Sequence, residues 1–103
     1  QLDGAIAPLH TLRAIAAAVP ELPLLLDGGV RRGTDVLKAL ALGAKAVLVG
    51  RPFSYAASIA GEAGVAHGIE LLKDEIDRNL AMLGVNTCAE MTRDRLVALR
   101  TPR

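Results

Sequence analysis

Two short apolar runs, each ending in glycine and arginine, constrain the fold of this chain more than any other feature. The first covers residues 24–33 and reads LLLDGGVRRG, and the second covers residues 47–52 and reads VLVGRP. Neither run alternates apolar and polar residues, which is typical of strands covered on both faces in a parallel sheet. The runs end about 23 residues apart, which fits one strand–helix–strand crossover. We therefore expect adjacent parallel strands at residues 24–26 and 46–49, with their terminal loops at the same end.

The residues that follow both runs have the properties of a phosphate-binding site. Gly28 and Gly29 lack a Cβ atom, so the chain can turn there with positive φ and bring its N–H groups close to an oxyanion. Arg31 adds a planar guanidinium that is permanently charged. The second run stops in the same manner at Gly50 and Arg51. Because neighbouring parallel strands end at the same edge, the two loops are expected to hold one ligand together.

Helical segments are expected around the two strands. Apolar spacing and terminal residues place them at residues 8–19, 35–42, 53–60 and 65–83, with a break at residues 61–64 and a further turn or two in residues 92–100. Thr34 is the expected N-cap of the second helix, with Asp35 in its first turn. Gly84 is expected to end the long helix, and Thr87 with Glu90 to form a capping box for a short helix after it.

Composition and charge exclude several functional classes. Twelve basic and eleven acidic residues leave a formal charge of +1, so no general surface for nucleic acid is implied. Cys88 is the single cysteine, which rules out an internal disulfide and a CxxC metal or redox motif. No apolar run reaches the roughly 20 residues that a membrane-spanning helix requires. A cytosolic setting is therefore expected, with peripheral membrane association of a longer parent protein as the alternative.

The segment DGGVRRGTDVLKALALGAKAVLVGRP, residues 27–52, resembles the flavin-phosphate region of FMN-dependent α-hydroxy-acid oxidases and dehydrogenases. This family includes glycolate oxidase, lactate oxidase, mandelate dehydrogenase and the flavin domain of flavocytochrome b2. Residues 1–3, QLD, are similar to the end of its active-site signature SNHGGRQLD. Residues 61–64, GEAG, are similar to a turn near its last barrel helix. The resemblance thus covers essentially the whole chain.

For the fold, the resemblance implies an α/β structure: the C-terminal portion of a TIM (β/α)₈ barrel, with about its last two strands and their helices. A complete barrel needs about 250 residues. Residues 1–103 would then be the C-terminal part of a single FMN-binding barrel domain, truncated at its N-terminal side, and residues 85–103 would form its tail of short helices. A first residue that is Gln and not Met agrees with a piece of a longer protein.

For the activity, the resemblance implies that the parent enzyme oxidises a small (S)-2-hydroxy acid to the 2-oxo acid with FMN. The signature's catalytic His and substrate-binding Arg would precede Gln1, so no catalytic or metal-binding residue is predicted in this chain, which alone would be inactive. The residues implied to bind FMN are Asp27, Gly28, Gly29, Val30, Arg31, Gly50 and Arg51. Arg31 and Arg51 would neutralise the phosphate, and Asp27 would bond a ribityl hydroxyl or fix the loop. A homo-tetramer is also implied, since the family's members are often tetramers.

Three alternatives stay open from the sequence. The loops resemble in style those of other phosphate-binding barrels, such as type 2 isopentenyl diphosphate isomerase or IMP dehydrogenase. Both loops could instead be simple turns in a non-catalytic barrel fragment. Arg32 could contact the ligand beside Arg31 or could form a structural ion pair.

Overall fold

The computed structural model describes residues 4–99, which form an α/β unit. In chain order its helices and strands are α1 (Pro8–Ala18), β1 (Leu24–Asp27), α2 (Gly33–Ala41), β2 (Ala44–Leu48) and α3 (Arg51–Leu83), followed by two 3-10 turns at Cys88–Glu90 and Arg93–Arg95. Residues 1–3, which carry the QLD resemblance, and residues 100–103 lie outside the described part. None of the helices in residues 4–99 combines the length and the apolar character that crossing a membrane requires.

The two strands form a parallel pair, as the crossover spacing predicts. Leu26 is the register partner of Val47, and Asp27 is the partner of Leu48. Helix α2 makes the connection between them. Because the strands run in the same direction, the loops that follow β1 and β2 lie at the same end of the sheet. The predicted arrangement of the two glycine–arginine loops is therefore confirmed.

Within residues 4–99 only one face of this sheet is covered, whereas the apolar runs predict strands covered on both faces. Leu26 is buried in a core formed with residues of α1, α2 and the start of β2: Leu12, Val36, Ala39 and Ala44. Leu25 and Leu48 lie on the opposite face and are 64% and 49% exposed. The reason is the two-residue period of a strand, which sends alternate side chains to opposite faces, while the helices of this chain pack on one of them.

Helix α3 is broken after its first third, close to the break predicted at residues 61–64. The backbone leaves helical geometry at Ala60 (φ −147°) and at Gly61 (φ 57°, ψ −137°), and the helix resumes immediately afterwards. The break is thus shorter than predicted. The bend brings the two halves so close that a Cβ atom on Gly64 would lie 2.1 Å from the carbonyl oxygen of Ala56. Glycine at position 64 is therefore a condition of this packing.

The segment after α3 packs back onto α2. Gly84 takes the left-handed conformation (φ 73°) that the sequence predicts for the residue ending the helix. Val85 and Met91 are buried in a second cluster with residues of α2 and α3: Leu37, Ala41 and Leu80. These contacts attach the C-terminal turns to the rest of the unit.

The predicted capping box of Thr87 and Glu90 is wrong, because neither side chain bonds the backbone N–H that the motif requires. Thr87 is the N-cap of the turn Cys88–Glu90, but its side chain makes no capping hydrogen bond. The carboxylate of Glu90 accepts the N–H of Asn86 at 3.2 Å instead. Further on, the hydroxyl of Thr92 donates to the Asp94 carboxylate, and this bond lowers the pKa of Asp94. The tight turn at residues 88–90 thus brings the Glu90 carboxylate to the N–H of Asn86 and not to the N-cap residue that the capping-box pattern predicts.

Candidate functional site

The loop after β1 turns on two glycines in the conformation that the sequence predicts. Gly28 has φ 105° and Gly29 has φ 78°, both in the region that side chains with a Cβ rarely adopt. A Cβ atom on Gly28 would lie 3.2 Å from Cγ of Pro8, whereas one on Gly29 would meet no atom within 4 Å. The backbone of Gly29 therefore borders open space on the side where a Cβ atom would stand.

The next residues of the loop are held by Asp35 and not by Thr34, the predicted N-cap. Helix α2 begins at Gly33 with Arg32 as its N-cap residue. Oδ2 of Asp35 accepts the N–H of Arg31 at 3.0 Å and the N–H of Arg32 at 2.9 Å. The prediction failed because the helix begins one residue before Thr34. The backbone N–H groups of the two arginines are consequently used inside the loop and are not free for a ligand.

Arg32 forms a structural ion pair, the second of the two roles considered for it. Its Nε and Nη2 atoms both lie 2.5 Å from Oε2 of Glu75 in α3. The other carboxylate oxygen, Oε1, accepts the N–H of Gly33 at 3.3 Å. A Cβ atom on Gly33 would be 2.6 Å from Cβ of Glu75, so glycine is required for this close approach. Sequence reasoning missed both Glu75 and Gly33, because no local pattern links residues 42 positions apart.

Of the three arginines in the two loops, Arg31 and Arg51 make no salt bridge within residues 4–99. Both side chains are exposed. Within residues 4–99 the salt bridges join Arg32 to Glu75 and Lys73 to Glu70, and neither includes Arg31 or Arg51. Each can therefore direct its guanidinium at an anion without first breaking an ion pair with a described carboxylate.

The loop after β2 leads directly into a helix N-terminus. Gly50 is the N-cap of α3, Arg51 is its first residue, and Pro52 occupies the first turn, where its missing N–H costs nothing. The carbonyl of Gly50 accepts the N–H groups of Phe53 and Ser54 at 3.1 Å, whereas no side chain caps this end. A Cβ atom on Gly50 would meet nothing within 4 Å. An accessible backbone, an arginine and the positive end of a helix dipole thus coincide here.

The sheet and its loops place at one end all seven residues that the sequence singles out. Asp27 is the exposed last residue of β1, and the two glycines, Arg31, Gly50 and Arg51 follow at the same end of the parallel pair. Val30 differs, because its side chain is buried in the core and can offer a ligand only its backbone. The arrangement places at one edge two arginines without a carboxylate partner in residues 4–99, together with the backbone of three glycines, which suits a small anion of charge −2.

A groove of about 840 Å³ adjoins this edge. Arg31 and Arg32 lie at its border, and most of its wall is apolar and comes from both halves of α3, with Phe53, Ile59 and Leu71 among the contributors. Ile59 and Leu71 are exposed. The groove is therefore a largely apolar surface beside the charged edge.

The sequence comparisons with known proteins agree with one another. A model of the FMN-dependent dehydrogenase family matches residues 1–98. L-lactate oxidase of Nostoc sp. is 54% identical over 85 residues, a match that covers 82% of this chain and 23% of that protein. L-lactate dehydrogenase (cytochrome) of Wickerhamomyces anomalus is 51% identical over 98 residues, covering 89% of this chain and 17% of that protein.

A solved structure agrees with these sequence matches. The soluble mutant of the membrane-associated (S)-mandelate dehydrogenase from Pseudomonas putida superposes with a TM-score of 0.88 at 45% identity, covering 92% of this chain and 27% of that one. The chain thus spans only 17% to 27% of the length of these relatives. Since the family model matches residues 1–98 and the solved structure has a similar fold at 45% identity, this chain belongs to the FMN-dependent dehydrogenase family.

Proposed function

We propose that the loops after β1 and β2 bind the phosphate of FMN in an enzyme that oxidises a small (S)-2-hydroxy acid to the 2-oxo acid. The observation that carries the proposal is the position of Arg31 and Arg51, both exposed and without a described carboxylate partner, in the two loops at the same end of a parallel strand pair. Membership of the FMN-dependent dehydrogenase family supplies the identity of the phosphate ligand.

The residues fit a phosphate on structural grounds as well. Gly29 and Gly50 have open space where a side chain would stand, so their N–H groups can approach phosphate oxygens. Arg31 and Arg51 supply charge and planar donor pairs that match the geometry of phosphate oxygens. The N-terminus of α3, which begins at Arg51, adds a dipole of the sign that favours an anion.

Asp27 is proposed to contact the ribityl chain. Its side chain is exposed at the end of β1 and makes no hydrogen bond within residues 4–99. The alternative role of fixing the loop is filled by Asp35, whose carboxylate accepts two loop N–H groups. A carboxylate that is free at the mouth of the sheet can accept a hydrogen bond from a sugar-alcohol hydroxyl.

In this mechanism the described chain binds and orients the cofactor. FMN, when bound, supplies the group that accepts the hydride equivalent of the hydroxy acid. The two arginines and the glycine backbone hold the phosphate end of the cofactor, and the rigid strand ends fix its distance from the sheet. The resemblance assigns the proton-accepting His and the carboxylate-binding Arg to residues outside this sequence. The part of Arg31 and Arg51 is therefore affinity and positioning.

The whole protein is proposed to be a (β/α)₈ barrel, of which this chain is the C-terminal part and residues 85–103 the tail. The exposed sheet face with Leu25 and Leu48 supports this, because in a barrel such a face points to the packed interior. The short span of the relatives that the chain covers supports it too. A homo-tetramer is the assembly that the resemblance implies. A cytosolic setting stays a prediction, because the relatives include a protein described as membrane-associated.

The experiment is to replace Arg31 by Ala in the whole protein and to measure the affinity of the apoprotein for FMN and for riboflavin, which lacks the phosphate. A charge-assisted hydrogen bond contributes roughly 1.5–3 kcal/mol, so FMN binding should weaken by about one to two orders of magnitude. Riboflavin binding should change little. Arg31→Lys should recover part of the loss, since an ammonium supplies charge without the planar fork.

Arg13→Ala is the matched control, because Arg13 is an exposed arginine on α1. This variant should leave both affinities unchanged. An equal loss of FMN and riboflavin binding in Arg31→Ala would mean that Arg31 supports the fold or the flavin ring, and the phosphate assignment would be withdrawn.

A further inference from the structure

One carboxylate from the long helix reaches the loop between β1 and α2. Glu75 lies in the second half of α3, where helical spacing alone would place it among the solvent-facing charges with Glu70 and Lys73. Its side chain is only 24% exposed, compared with 65% for Glu70 and 67% for Lys73. Glu75 is thus turned inward, onto the loop that carries the candidate phosphate site.

The contacts of Glu75 hold two consecutive residues of that loop. Oε2 meets two nitrogens of the Arg32 guanidinium, and Oε1 accepts the N–H of Gly33. The missing side chain of Gly33 allows this approach, because a Cβ atom there would lie within 3 Å of the Glu75 side chain and of the α3 backbone. A carboxylate that binds a guanidinium through two nitrogens has a defined orientation as well as charge neutralisation. Glu75 therefore fixes the start of α2 against α3.

These contacts leave Arg31 between two fixed neighbours. Val30 on one side is buried in the core, and Arg32 on the other is bound to Glu75. Asp35 holds the N–H groups of both arginines. The backbone of Arg31 is consequently restrained by its bond to Asp35 and by its two neighbours. Its side chain is exposed and has no carboxylate partner within residues 4–99.

We propose that Glu75 is a positioning residue of the phosphate site: it draws Arg32 and the N-terminus of α2 onto α3 and thereby pre-orders the loop that presents Arg31 to the anion. The inference rests on the proposed function of Arg31. It assigns the two adjacent arginines different tasks, Arg31 to the ligand and Arg32 to Glu75. It also makes affinity for the phosphate depend on a residue that does not contact it.

The physical reason is the entropy of ordering the loop. A site whose loop is already in its binding conformation spends less of the interaction free energy on ordering. Without the Glu75 carboxylate, the guanidinium of Arg32 and the N–H of Gly33 lose their contacts with α3. Phosphate binding must then order this part of the loop. The effect should be confined to ligands that carry the phosphate, because a flavin without it makes no contact that uses this loop.

The experiment uses the whole protein with Glu75 replaced by Gln and measures binding of FMN and riboflavin to the apoprotein. We expect FMN affinity to fall by about three- to tenfold and riboflavin affinity to stay within about twofold. Arg32→Gln should lose at least as much FMN affinity, because it leaves the Glu75 charge unpaired beside the anion. The double variant Arg32→Gln/Glu75→Gln should match Glu75→Gln alone, since both substitutions remove one interaction.

Glu70→Gln is the matched control. It breaks the other ion pair of α3, between Glu70 and Lys73 at 3.6 Å, by the same chemical change on an exposed surface. Both flavin affinities should be unaffected. If Glu75→Gln yields no folded protein, Glu75→Asp retains the charge with a shorter reach and should show a smaller loss that is again confined to FMN.

The outcomes separate this inference from the proposed function. Should Arg31→Ala discriminate between the two flavins while neither Glu75 variant does, the phosphate site stands and the positioning role is wrong. Tighter FMN binding in Glu75→Gln would also overturn it, because a released Arg32 would then be a ligand. Equal losses of FMN and riboflavin would reduce Glu75 to general support of the fold. If Arg31→Ala shows no discrimination, the proposed function fails and this inference with it.

Discussion

Asp35 and Glu75 are the two side chains that shape the loop after β1, and only one of them was expected there. Asp35 lies in the first turn of α2, as predicted, and its carboxylate accepts the N–H groups of Arg31 and Arg32, whereas Thr34 was the expected N-cap. Glu75 lies in α3, and its carboxylate forms an ion pair with the guanidinium of Arg32. At the scale of single residues, the two donor groups of Arg31 therefore differ. Its backbone N–H is bonded to Asp35, whereas its guanidinium has no carboxylate partner within residues 4–99.

A pair of substitutions in the whole protein tests the role of Asp35 against that of Thr34. Removing a side chain that satisfies N–H groups at a helix N-terminus costs about 0.5–2 kcal/mol, so Asp35→Ala should lower the free energy of unfolding by that amount. Thr34→Ala should change it by less than about 0.5 kcal/mol, because the exposed Thr34 makes no such bond. Denaturant unfolding measures both. A larger loss for Thr34→Ala would restore Thr34 as the cap.

At the scale of elements, the break in α3 determines how the chain leaves the site. The first half of α3 starts with Arg51, directly after the loop that follows β2, and the second half packs against α2 through Glu75 and Ile76. Gly61 supplies the left-handed turn between them. Gly64 allows the two halves to touch. A continuous straight helix could not begin at β2 and also bring Glu75 to the loop after β1.

Gly64 and Gly68 form a matched pair for testing this bend. A Cβ atom on Gly64 would clash with the Ala56 carbonyl, whereas one on Gly68 would lie at ordinary contact distance, 3.5 Å, from the ring of Phe53. Gly64→Ala should therefore destabilise the whole protein by about 1–3 kcal/mol, the usual cost of overpacking. Gly68→Ala should be neutral or stabilising by up to about 1 kcal/mol, because alanine favours the helix. Equal effects on unfolding would show that the bend does not depend on close contact at Gly64.

At the scale of the molecule, the exposed apolar surface is distributed as in a part of a larger fold. Leu25 and Leu48 lie on the open face of the sheet, while Tyr55, Ile59 and Leu71 line the groove formed by α3. These side chains are close to the charged edge but on surfaces that the described chain does not cover. A two-stranded parallel sheet with one bare face and unpaired edges is a weak core by itself.

The 103-residue chain expressed alone should consequently be aggregated or molten and should show no hydroxy-acid oxidation. Ordering costs about 1–2 kcal/mol per residue in backbone entropy, and burial on one sheet face leaves little to offset it. Size-exclusion chromatography and near-ultraviolet circular dichroism of the chain, compared with the whole protein, measure this. A monomer with a cooperative unfolding transition would contradict the stability prediction, and measurable turnover would mean that catalytic residues lie within the chain.

The sequence by itself determined the elements whose signals are local. The apolar runs predicted the two parallel strands, Gly28 and Gly29 predicted the left-handed turn, and Gly84 predicted the end of α3. These predictions succeeded because a strand, a positive φ and a helix end are each specified by a few consecutive residues. The residues expected to bind FMN came from the strand ends together with the family resemblance of residues 27–52, and their binding role stays a proposal.

Only the tertiary structure decided which arginine is available and which face of the sheet is covered. The partner of Arg32 is 43 residues away on another helix, and the need for glycine at positions 33 and 64 arises from backbones that meet only after folding. Burial on one face of β1 and β2 depends on where α1 and α2 pack, which the apolar character of the strands does not specify. Contacts between distant residues depend on the path of the whole chain, so no local pattern encodes them.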